Sequence, residues 1–81
     1  MTQADRMRER IRWHCRRGML ELDLVLNGFV DRHLAGLDPA KLHAFHALLA
    51  RTDPELLDLV MGRTDAVEPE ERAVLSLMRG T

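Results

Sequence analysis

Three clusters in this chain of 81 residues carry side chains capable of chemistry: Trp13-His14-Cys15, the pair His43 and His46, and Arg16-Arg17-Gly18-Met19-Leu20-Glu21. The first holds two soft metal ligands, but neighbouring helical side chains diverge by ~100° and do not chelate easily. Core and boundary packing is the better reading there. His43 and His46 stand at i, i+3 and could share a metal, yet no cysteine lies near them in sequence and a third ligand would have to be invented. They read as surface or boundary residues, with no metal expected. The chain contains no Gly-x-Ser-x-Gly elbow, no HExxH and no glycine-rich phosphate loop, so no enzyme is expected.

The third cluster is the one with a chemical vocabulary. Read as residues alone, it is a helix end: arginines complement the dipole, Gly18 suits a left-handed residue, and Glu21 falls in the first turn of the next helix. Those elements follow from periodicity. Met7, Ile11 and Cys15 form a stripe at i, i+4, i+8, which predicts a first helix over about Asp5–Arg17 ended by Gly18. Trp13 lies about 200° around the wheel from Ile11, so either this helix is covered on two sides or Trp13 is partly exposed.

A second helix over about Met19–Leu34 is apolar around most of its circumference, with Asp23, Asn27 and Asp31 as its one polar stripe, and is predicted to be central. Gly28 in its interior fits either a close helix crossing or a merely tolerated glycine, at a cost of ~1 kcal/mol. Asp38-Pro39 and Asp53-Pro54 each set a capping side chain before a proline and start helices three and four; Glu68-Pro69 repeats the device for a short fifth. Helix three should bury Leu42, Phe45, Leu48 and Leu49. Helix four should bury Leu56, Leu57, Val60 and Met61 and stop at Gly62, and helix five carries Val74, Leu75 and Met78. The expected fold is all-α: a compact bundle of about five short helices forming a single domain over residues 1–81.

Composition bounds the function. Apolar residues make up 46% of the chain, enough for one core and too many for a disordered chain. The formal net charge of −1 hides an asymmetry: Met1–Gly18 has six arginines against Asp5 and Glu9, or +4, which leaves −5 for the rest. The lone Cys15 excludes an internal disulfide and fits a reducing compartment, read as the cytoplasm. No apolar run approaches the ~20 residues of a membrane span, and the polar N-terminus does not read as a signal peptide.

The run Trp13-His14-Cys15-Arg16-Arg17-Gly18-Met19-Leu20-Glu21-Leu22-Asp23 resembles the signature of the SdhE family, also called succinate dehydrogenase assembly factor 2, whose hallmark Arg-Gly-x-x-Glu is present as Arg17, Gly18 and Glu21. The resemblance continues through Leu48-Leu49 and Asp53-Pro54-Glu55-Leu56 and covers nearly the whole chain. It departs at Leu59, where many relatives carry Trp, so the outer face of helix four is expected to be shaped differently. The resemblance implies a small helical assembly factor that binds the flavoprotein subunit of succinate dehydrogenase, and in bacteria often that of fumarate reductase, and promotes covalent attachment of FAD to a histidine of that subunit. On that basis Arg16, Arg17, Gly18, Met19 and Glu21 are the expected partner-binding residues. FAD is then the client's cofactor, with none bound tightly by this chain, and a monomer is expected. The alternative from another class is a small nucleic-acid-binding helical module using the Arg-rich first helix.

Overall fold

A computed structural model describes residues 2–80 and is all-helical: α1 (Gln3–His14), α2 (Leu20–His33), a 3-10 turn (Leu34–Gly36), α3 (Pro39–Leu49), α4 (Asp53–Val60) and α5 (Pro69–Gly80). No helix of the described residues is long and apolar enough to cross a membrane. The starts are set by side chains that satisfy the unpaired N–H groups of a first turn. At α1 the Thr2 hydroxyl accepts from the Asp5 N–H at 3.1 Å while the Asp5 carboxylate accepts from the Thr2 N–H at 3.4 Å. This reciprocal cap begins α1 two residues earlier than the apolar stripe alone suggested. Asp38 caps α3 as expected, accepting from the Lys41 N–H at 2.8 Å.

At α4 the cap is not Asp53 but Thr52, whose hydroxyl accepts from the Glu55 N–H at 3.4 Å. Either residue could cap a helix that has proline near its start; the hydroxyl takes the role and leaves the Asp53 carboxylate free for another partner.

The central helix is α3 and not α2: α3 packs against both α1 and α5, and α4 packs against α5. Leu42, Phe45, Leu48 and Leu49 are buried as the sequence predicts, and Ala44 joins them. Phe45 meets Phe29 of α2 edge to face at 5.0 Å. From α2 the core receives Leu22, Leu26, Phe29 and Val30, whereas Leu20 and Leu24 remain 73% and 67% exposed, so α2 has an outer face despite its apolar composition. A Cβ on Gly28 would meet only the flexible end of Arg32, so no neighbouring helix crosses there.

Helix α4 buries Leu56, Leu59 and Val60; Leu57 is half-buried and Met61 exposed. Leu59 therefore belongs to the core and not to an outer face. Met61, at the C-cap, keeps helical backbone angles and donates to the Leu57 carbonyl, so it stacks above half-buried Leu57 at the margin of the stripe formed by Leu56, Leu59 and Val60. Gly62 follows with φ +79°, the left-handed conformation that ends a helix. Val74, Leu75 and Met78 of α5 close the core, and the whole measures 36 × 27 × 22 Å.

Candidate functional site

Between α1 and α2 the chain makes a tight turn over residues 15–19. Helix α1 ends at His14, ahead of both arginines, so Gly18 does not terminate it; with φ +82° it turns the chain into α2. A Cβ at Gly18 would meet nothing within 4 Å, so glycine answers the backbone angle and not a lack of space. The turn is held by Asp23, one turn into α2, whose two carboxylate oxygens accept from the Arg17 N–H at 3.0 Å and the Gly18 N–H at 3.1 Å. Met19, the residue before α2, offers no side-chain cap, and its half-buried side chain packs on the core. The carboxylate of Asp23 thus anchors the backbone just ahead of the helix to which it belongs.

The five residues expected to bind a partner divide into two sets. Arg17 is largely enclosed, and its guanidinium lies in the corner between α3 and α4. Its Nε donates to Asp53 Oδ1, Nη1 donates to the carbonyls of Leu49 (2.9 Å) and His14 (3.2 Å), and Nη2 donates to the carbonyl of Arg51 at 2.7 Å. The last carbonyls of α1 (His14) and α3 (Leu49), which lack partners in their own helices, are met by this side chain. Arg16 and Glu21 point the other way, into solvent. The Arg16 guanidinium lies 5.8 Å above the ring of Trp13, itself 73% exposed, a cation–π arrangement. Glu21 is exposed and makes no hydrogen bond or ion pair with the described residues, a carboxylate with its acceptor capacity uncommitted.

Two members of this arrangement escaped the sequence reading. In the sequence Asp23 belongs to the polar stripe of α2 and Asp53 reads as a helix cap; in the structure both hold the turn. Asp23 closes the signature run and Asp53 opens the later stretch of resemblance, but neither position by itself shows that its carboxylate reaches back to the turn.

The neighbouring thiol is shut away from solvent and held in its neutral form at neutral pH. Cys15 is fully buried, and burial pushes its thiol up to about 11, an effect that Arg17 offsets in part and Asp23 reinforces. On the contact between α1 and α3, His14 and His46 meet edge to face at 5.9 Å. No group of three or more His, Cys, Asp or Glu among the described residues is arranged to hold a metal ion.

The family described as Sdh5, flavinator of succinate dehydrogenase, matches residues 9–81, a span that includes every residue of the turn and its anchors. The chain belongs to this family. It is 41% identical over 75 residues to the FAD assembly factor SdhE of Legionella pneumophila (strain Lens), covering 93% of this chain and 94% of the relative. To the protein of the same name from Shewanella oneidensis it is 41% identical over 71 residues, 88% of this chain and 87% of the relative. To that of Pasteurella multocida it is 36% identical over 81 residues, 100% and 94%. No solved structure matches the chain at a significant level.

Proposed function

We propose that this chain is an assembly factor that binds the flavoprotein subunit of succinate dehydrogenase in the cytoplasm and promotes covalent attachment of FAD to it, with the flavoprotein of fumarate reductase as a further client. The observation that carries this reading is family membership over residues 9–81, with the signature turn folded into one anchored unit. Glu21, Arg16, Met19 and the Gly18 backbone form the contact surface. Glu21 supplies a charge-assisted hydrogen-bond acceptor, Arg16 a donor, and Gly18 a backbone without a Cβ that a partner can approach closely.

FAD is the client's cofactor in this reading. The first turns of α1, α3 and α4 are occupied by Thr2, Asp38 and Thr52, and that of α2, which has no side-chain cap, carries Glu21 and Asp23, whose charge repels a pyrophosphate. The flavin supplies the chemistry and the client supplies the histidine that is modified. What this chain contributes is position: it holds the immature flavoprotein where histidine and flavin methyl group meet, and productive orientation alone is worth several kcal/mol of barrier. It acts as a monomeric conformational chaperone and not as a catalyst.

The test is in-gel flavin fluorescence, under denaturing conditions, of the organism's succinate dehydrogenase flavoprotein from cells with and without this gene. A covalent flavin signal lost on deletion, restored by wild type and not by Glu21→Ala, is the expected result. A signal undiminished by deletion would sink the reading.

A further inference from the structure

The signature arginine has little left to offer a partner. A guanidinium carries five N–H donors, and four of those of Arg17 are taken up by Asp53 and the carbonyls of Leu49, His14 and Arg51. Its side chain is 15% exposed, against 33% for Asp53. Asp53, for its part, is at liberty to face Arg17 because Thr52 performs the capping at α4. The consequence is a cross-brace: residues in the turn between α1 and α2 are fastened to the corner between α3 and α4. Glu21, three residues beyond Gly18, hangs on that brace with its own carboxylate uncommitted.

We propose that Asp53 is a positioning residue of the site: it holds the Arg17 guanidinium against the α3–α4 corner, and through Arg17 it sets the direction in which the turn presents Glu21 and the Gly18 backbone to the client. Arg17 on this account reads no group of the client; it is the strut. The proposal rests on the flavoprotein being the client.

The competing arrangement is that Arg17 swings out to touch the client and Asp53 is merely its resting counter-ion. The two differ in sign. If Asp53 competes with the client for Arg17, its removal frees the guanidinium and binding stays level or tightens. If Asp53 positions, its removal loosens the turn and binding weakens. Lysine at position 17 separates them again, because a point charge on a flexible stem serves a single client carboxylate tolerably but cannot meet one carboxylate and three carbonyls lying in different directions.

The experiment measures the dissociation constant of the labelled full chain for the purified apo flavoprotein subunit of the organism's succinate dehydrogenase. Each variant is measured at a temperature where helical circular dichroism shows it folded. Arg79→Ala is the structural control: Arg79 performs the same task at the end of α4, donating to the carbonyls of Leu59 and Thr64, at a distance from the turn. The expected result is that Asp53→Ala and Arg17→Lys each weaken binding by roughly tenfold or more, while Arg79→Ala lowers the melting temperature and leaves binding as in wild type. Asp53→Ala binding as tightly as wild type, or more tightly, overturns the proposal and leaves the client reading intact. Arg79→Ala weakening binding as much as Asp53→Ala also overturns it, in favour of general loosening. A wild-type chain that binds no apo flavoprotein defeats the client reading, and the proposal falls with it.

Discussion

Cys15 lies two residues from the strut and is its chemical opposite, a group that gains nothing from being charged. Its thiol is held neutral up to about 11 chiefly by burial. Because the thiolate is the reactive form, iodoacetamide at pH about 8 should label the native chain far more slowly than the chain in denaturant; equal rates, read by mass spectrometry, would contradict the burial. The pKa is raised, so its contribution to stability is complete below the ordinary thiol value and is lost as pH rises through about 11. In that window the unfolded chain has already released the proton that the folded chain keeps, and the loss is about 2–3 kcal/mol. Denaturant midpoints should therefore fall on the alkaline side, and Cys15→Ala should flatten that limb.

Among the elements, α4 is the shortest helix and the one whose start carries most consequence. Thr52→Ala removes its cap and should cost about 1 kcal/mol, measurable as a lower urea midpoint. The same substitution leaves Asp53 facing Arg17 and should spare client binding, whereas Asp53→Ala, which takes the carboxylate from an enclosed guanidinium, should weaken binding as well as stability; binding lost with Thr52→Ala would show that cap and strut are one unit. This helix also marks where sequence stopped being legible. Five helices and most of the buried stripes could be read because their signals are local: apolar spacing, a proline after a capping residue, a glycine at a turn. The phase of a helix of eight residues is less secure, since so few turns accommodate two apolar stripes, one through Leu56, Leu57, Val60 and Met61 and one through Leu56, Leu59 and Val60. Leu59 and Met61 changed places for that reason. Turn and glutamate were visible in the signature; Asp53 was not, because an acid before a proline has a sufficient local explanation and its true partner lies 36 residues away.

At the scale of the molecule, α1 meets α3 across a face that carries His14, His43, His46 and Arg10. His46, half-buried on that contact, is held below the usual histidine range first by burial and then by His14, Arg10 and His43, with no carboxylate among the causes. As pH falls below the ordinary histidine value of about 6.5, the unfolded chain takes up a proton before the folded one does. Stability present at neutral pH is thus lost as pH falls through the folded value. Thermal melts between about pH 7 and pH 5 should show this decline, and His46→Gln should reduce its slope; an unchanged slope would assign acid sensitivity elsewhere. The cross-brace has a further consequence, which concerns time. Synthesis proceeds from the N-terminus, so Arg17 emerges long before Asp53 exists to receive it. A nascent or truncated chain that stops short of Asp53 carries the whole signature and no strut. Competence would arrive late, only after nearly two-thirds of the protein has been made, and fragments bearing the signature alone would not occupy the client.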